Sequence, residues 1–215
     1  GASGNAVLAF TMSNPLPKNG KVVVTFPDGF DLTSAPAASS PSDIDGTFAT
    51  SVAGQVVTIT RQNDGTDKAA GAITDLTLSN IKNPGVSGTT GTYTITTTNT
   101  AGTAIDTLTT VEGSTLIPGV ITNADVTPSS LVAGASGAVT ATFTIANDVP
   151  DDGKFEITFP TGFDVSSATI TSISGQGGTA GTGHTIAKDG QIVTVTRGTA
   201  DTDAFTTGVT TVVLG

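Results

Sequence analysis

Aspartate placed in turns is the residue type of this chain best suited to chemistry. RQNDGTD sets Asp64 and Asp67 directly after the strand-like run GQVVTIT, and RGTADTD sets Asp201 and Asp203 directly after the matching run GQIVTVT. PSDIDGT adds Asp43 and Asp45, and NDVPDDG adds Asp148, Asp151 and Asp152. Hard cations such as calcium take oxygen ligands from closely spaced carboxylates and loop carbonyls. Asp64, Asp67, Asp201 and Asp203 are therefore the metal candidates, and calcium is the one cofactor they suit; no organic cofactor is expected. The spacing is not that of an EF-hand loop. Acidic turns whose carboxylates accept local backbone N–H groups account for the same clusters, and the residues alone leave both readings open.

Other chemistry finds little equipment. The single imidazole, His184, lies in the glycine-rich stretch GGTAGTGHTIAKDG with no equivalent in the first half of the chain, where a solvated loop position explains it better than a base for a nucleophile. There is no cysteine, which removes disulfides, thiolates and cysteine-bound metal. Paired carboxylates for glycoside hydrolysis are available by number. A sugar cleft also needs aromatic platforms, and the chain has no Trp and only Tyr93, with nine Phe expected mainly in the core. A Lys to Asn or Asp isopeptide crosslink would need Lys21 or Lys154 buried, whereas each begins a strand beside a glycine turn and reaches water easily. GQGGTAGTG does not join a strand to a helix as phosphate loops do. No catalytic residue is assigned, and a non-enzymatic protein is expected.

Composition points the same way. Lys and Arg number 8 against 18 Asp and Glu, a formal net charge of −10, and nucleic acid or an anionic membrane would require a positive footprint. Charged residues are 12% of the chain, about half the usual share of roughly 25%, while Thr occupies about one position in five. No apolar run approaches the roughly 18 residues of a membrane span, and the opening GASGNAVLAF has no basic stretch followed by an apolar run, so no signal peptide is legible and the start reads as a mature or trimmed product.

What must position these residues is written twice. GASGNAVLAFTMSNPLPKNGKVVVTFPDGFDLTS at Gly1 returns as GASGAVTATFTIANDVPDDGKFEITFPTGFDVSS at Gly134, with Phe143 lying 133 positions after Phe10. GQVVTITR at Gly54 returns as GQIVTVTR at Gly190, and ITDLTLS at Ile73 more weakly as VTTVVLG at Val209. Period-two alternation predicts strands. Val22, Val24 and Phe26 share one face, matched by Phe155, Ile157 and Phe159; the opposite face exchanges Val23 for Glu156, so the first face points inward. Val57 with Ile59, Val193 with Val195, Phe10 with Met12 and Phe143 with Ile145 extend the inward stripes. In the repeated FPxGFD, Pro27 and Pro160 end the strand, Gly29 and Gly162 take positive φ, and Phe30 and Phe163 fold back to plug the end of a sandwich. Asp31 and Asp164 accept a local backbone bond in that turn. No window supports a helix.

The expected fold is all-β, two tandem antiparallel β-sandwiches related by the internal repeat, over residues 1–118 and 119–215. YTITTT reads as the last strand of the first copy and has no counterpart after the second; GVITNADVTPSSLVA, which leads into the second GASG and holds the linker-like VTPSS, has none before the first. The chain thus starts and stops within repeats, leaving the second copy without its closing strands, a situation that head-to-tail strand sharing would relieve. Acidic, cysteine-free, Thr/Gly/Val-rich tandem modules with Pro-Ser linkers such as VTPSS resemble the immunoglobulin-like β-sandwich repeats of large microbial cell-surface and adhesin-type proteins. That resemblance implies an extracellular or cell-surface, structural or adhesive role: a subunit of a filament or surface layer whose partners are copies of itself, or alternatively a ligand-binding module of an adhesin array. Outward Thr and Ser also suit O-linked glycans, and plain β-propensity explains them equally.

Overall fold

The computed structural model describes residues 1–34, 36–151, 153–175, 183–198 and 205–215. Among these every regular element is a strand and every ladder is antiparallel. Among the described residues no helix is long and apolar enough to cross a membrane. The chain divides into two compact units, Gly1–Ile117 and Pro118–Gly215.

The first unit contains β1 (Ser3–Met12), β2 (Lys21–Thr25), β3 (Ala38–Ser39), β4 (Phe48–Ala53), β5 (Val56–Arg61), β6 (Gly71–Lys82), β7 (Gly88–Thr89), β8 (Tyr93–Thr98), β9 (Ala104–Val111) and β10 (Thr115–Leu116). They form a three-stranded sheet in the order β1-β6-β3, a five-stranded sheet β4-β5-β2-β8-β9 and the short pair β7 with β10. Alternation decides which faces meet. Val22, Val24 and Phe26 are buried together with Val57, Ile59, Leu76, Leu78 and Ile95 from both larger sheets, while Val23, Thr58 and Thr60 are only half-buried and Thr25 is exposed. Removing these aliphatic side chains from water is the main stabilising term, about 25 cal/mol per Å² of apolar surface.

The second unit contains β11 (Thr122–Pro128), β12 (Val139–Ile145), β13 (Lys154–Thr158), β14 (Ile170–Ser174), β15 (Thr185–Asp189), β16 (Ile192–Thr196) and β17 (Gly208–Leu214). Its sheets run β11-β12-β17-β14 and β13-β16-β15, and Phe143, Ile145, Phe155, Val193, Val195, Phe205 and Val212 form a separate core. Two expectations need correction here. YTITTT is followed by a further strand, β9, whose β-branched, Thr-rich run pairs along β8 through two register irregularities. The segment ahead of the second GASG supplies β11, and Val126, Thr127 and Pro128 of the linker-like VTPSS are laddered to β12. Pro128 is tolerated because β11 is an edge strand and an edge needs no donor on its outer side.

The FPxGFD turn is built alike in both units. Phe26 and Phe159 donate their N–H to the carbonyls of Gln55 and Gln191, at 2.8 and 2.9 Å. Gly29 and Gly162 have φ of 93° and 105°, a region L side chains rarely adopt. Asp31 then accepts from the Thr33 amide and Asp164 from the Ser166 amide, both at 3.0 Å. Phe30 plugs the core as expected, 7% exposed, but Phe163 does not: it is 40% exposed. In the first unit β8 contributes Tyr93, whose ring lies 5.4 Å from Phe26 and 5.8 Å from Phe30. In the second, Phe163 has Phe159 as its aromatic neighbour, at 5.6 Å.

Candidate functional site

The densest polar cluster sits where β5 ends. Arg61 closes the GQVVTITR run, and its side chain is buried. A guanidinium stays charged at any ordinary pH, so burying it requires acceptors. Nη1 donates to the carbonyls of Leu16 and Pro17 at 3.1 and 2.9 Å, and Nη2 donates to the Thr66 carbonyl at 2.6 Å, the Asp45 carbonyl at 3.3 Å and the Asp45 carboxylate at 2.9 Å. Arg61 thereby ties three loops to one strand end. Asp45 also accepts from the Thr66 amide and hydroxyl. The Thr66 hydroxyl first, its amide next and the Arg61 charge after them hold the Asp45 carboxyl below its usual 3.8.

The other acidic residues of this end serve the same kind of bond. Asp64 accepts from the Thr47 hydroxyl at 2.6 Å and amide at 2.8 Å, which together lower its pKa. Asp67 accepts from the Lys18 amide at 2.8 Å. Asp43 is lowered by the Thr74 amide at 2.6 Å and hydroxyl at 2.9 Å, and Asp75 accepts from the Ser42 amide at 2.6 Å. These carboxylates each accept from the backbone of a segment distant in sequence. Among the described residues no group of three or more His, Asp or Glu side chains gathers as a metal site would require. Asp201 and Asp203, the other two metal candidates, lie outside the described residues, as does Asp152.

In the second unit Arg197 closes GQIVTVTR as Arg61 closes its twin. It is buried, donates to the Val149 carbonyl at 2.6 Å and pairs with Asp151 at 2.9 Å. Asp148 accepts from the Thr207 amide at 2.8 Å. His184 stands with its ring 5.2 Å from that of Phe205, and its Nδ1 accepts from the Gly198 amide at 3.1 Å. That bond commits Nδ1 as an acceptor and ties the imidazole to the backbone. Lys21 is half-buried and Lys154 exposed, so both reach water.

No family model, curated protein or solved structure matches the chain. Its own surface is what can be read. An open groove of about 590 Å³ in the first unit is lined by Phe30, Asp31, Leu32, Thr50, Val52 and Gln55. Its carboxylate is engaged by Thr33, whose hydroxyl and then amide lower the Asp31 pKa.

The sheet edges are more distinctive. β2 is flanked on one side by β5 and on the other by β8. Its sequence counterpart β13 is flanked by β16 only, and stands at the edge of its sheet. Conversely β12 lies between β11 and β17, whereas its counterpart β1 pairs with β6 alone. Each unit thus shows, already paired, the strand that the other leaves open among the described residues. Sequence reasoning flagged unpaired edges but missed the buried arginines; their signal was present as the Arg that closes both GQxVTxTR runs.

Proposed function

We propose that this chain is a non-enzymatic structural protein of an extracellular filament or cell-surface layer, made of two tandem immunoglobulin-like β-sandwiches related by the internal repeat and assembling head to tail through shared strands. The observation that carries this reading is that, among the described residues, β1 and β13 each leave open an edge whose counterpart is paired in the other unit. An unpaired edge is a template for another strand, and a surface that joins to a different surface of the next copy propagates without closing. Supporting it, the buried polar groups act as loop anchors, the acidic residues accept from backbone amides, and Thr fills outward strand positions where it suits a hydrated, β-forming surface.

The reading is tested by electron microscopy together with light scattering across a concentration series of the purified chain. Linear particles with an axial repeat, growing with concentration, are the expected result. A monodisperse monomer at every concentration would overturn the assembly.

A further inference from the structure

Asp followed by Gly is a reactive pair, because a glycine amide has no Cβ beside it and can close onto the aspartate side-chain carboxyl. Four such steps lie within the described residues: Asp28–Gly29, Asp45–Gly46, Asp64–Gly65 and Asp189–Gly190. The fold holds three of them. The Asp45 carboxylate accepts from Arg61 and Thr66, and the Asp64 carboxylate from Thr47. The same bonds favour the ionised form of both carboxyls, which resists attack. Asp189 is laddered opposite Ile192, which fixes its main chain. The one Asn–Gly step, Asn19–Gly20, is held too, since the Gly20 amide donates to the Pro17 carbonyl at 2.8 Å. Asp28 and Gly29 differ from all of these. Both are exposed, and among the described residues neither the Asp28 carboxylate nor the Gly29 amide has a hydrogen-bond or ion-pair partner. In the second unit the Phe163 amide closes the same turn on the Pro160 carbonyl at 3.3 Å. No such bond joins Phe30 to Pro27, so that restraint on the Asp28–Gly29 peptide is missing.

We infer that Asp28–Gly29 is a site of spontaneous isoaspartate formation in the folded protein. The Gly29 nitrogen, losing its proton, attacks the Asp28 side-chain carboxyl carbon. A C–N bond forms, one carboxyl oxygen leaves as water, and a five-membered succinimide results. Water then adds to one ring carbonyl and breaks its bond to the nitrogen. Opening at the main-chain carbonyl leaves the chain running through the former side chain, and opening at the other restores Asp28. One water leaves and one returns, so the conversion needs no oxidant, reductant or enzyme. The product has one more methylene in its main chain, inserted just ahead of two anchored residues. Phe30 is 7% exposed, with its ring 5.4 Å from that of Phe26 and 5.8 Å from that of Tyr93. Asp31 exchanges main-chain bonds with Lys82 at 3.0 and 3.1 Å. The conversion therefore pulls on the aromatic end of the first core. Thr161 stands in the twin turn where the first has Asp28, so the second unit's turn cannot undergo it.

The test incubates the full chain for weeks in warm, mildly acidic buffer, folded and in urea, and locates isoaspartate by peptide mapping with electron-transfer mass spectrometry. In urea the steps at Asp28, Asp45 and Asp64 should convert at similar rates. In the folded chain Asp28 should convert at least about tenfold faster than Asp45 or Asp64, whose charge-assisted hydrogen bonds must break first. The converted fraction, separated by chromatography, should exchange the Phe30 and Asp31 amides faster than the unconverted one. A chain carrying Asp28→Thr, the residue of the twin turn, should form no isoaspartate at that step and keep its exchange profile through the incubation. Folded chain that stays unconverted at Asp28 while the chain in urea converts overturns the inference, because the turn then protects the step. Conversion of Asp45 or Asp64 in the folded chain as fast as Asp28 overturns it as well, because the bonds to those carboxylates then decide nothing.

Discussion

Phe30 and Phe163 stand at the same step of the same FPxGFD turn, yet one is core and the other is surface. Their glycines have similar positive φ, their preceding prolines end corresponding strands, and their following aspartates accept corresponding amides. The difference lies about sixty residues away in sequence for Phe30, where Tyr93 on β8 closes an aromatic trio. Phe163 has one ring beside it. Burial of a side chain therefore depends on the neighbouring strand, even where the FPxGFD turn recurs.

The comparison can be broken or sharpened by substitution, each measured on the full chain by urea titration with residue-resolved hydrogen exchange to separate the units. The largest effect is expected from Arg61→Ala. It removes the bonds that tie Leu16, Pro17, Asp45 and Thr66 to the end of β5 and leaves the buried space of the side chain unfilled, at a cost of about 3–5 kcal/mol to the first unit, and Arg61→Lys should recover only part because an ammonium cannot span the same acceptors. Phe30→Ala should cost about 3 kcal/mol, and Phe163→Ala about 1 kcal/mol or less, since the second ring is already partly in water. Equal costs would dissolve the contrast. Tyr93→Ala should cost about 2 kcal/mol and raise exchange around Phe30, making the first unit behave like the second. If Phe30 stays protected, β8 is not what holds it.

Acid provides the smallest effect per residue. Asp31, Asp43, Asp45 and Asp64 in the first unit and Asp164 in the second have carboxyls lowered chiefly by Thr or Ser hydroxyl and amide donors. A carboxyl lowered on folding stabilises above its ordinary pKa of 3.8. That contribution fades as pH drops through the lower, folded value. Stability of the first unit should therefore fall as pH drops below about 4; an exchange profile of the first unit that does not change between neutral pH and about pH 3 would contradict this.

Much of this was legible in the residues. The alternation in KVVVTF and VVTITR assigned Val22, Val24, Val57 and Ile59 to the interior because side chains of a strand change face at every step, and all four are buried. The turn chemistry of Gly29 and Asp31 was equally local. The acidic clusters were visible, but their partners were not: Asp64 reaches Thr47 and Asp43 reaches Thr74 across separate segments, and no spacing along the chain encodes which donor a carboxylate will meet. Arg61 escaped notice because a charged residue at a strand end reads as solvated, and only the convergence of Leu16, Pro17, Asp45 and Thr66 makes its burial affordable.

By itself, then, the sequence determined the strands of the repeated runs, their inward faces and the local turn geometry, since these follow from side-chain period and backbone freedom within a few residues. The tertiary structure alone decided which strand lies beside which. It is the presence of β8 along β2, and the open edge of β13, that make one Phe a core residue and leave the other in contact with water. Pairing is a relation between distant segments, and its hydrogen bonds leave no mark on either segment read alone.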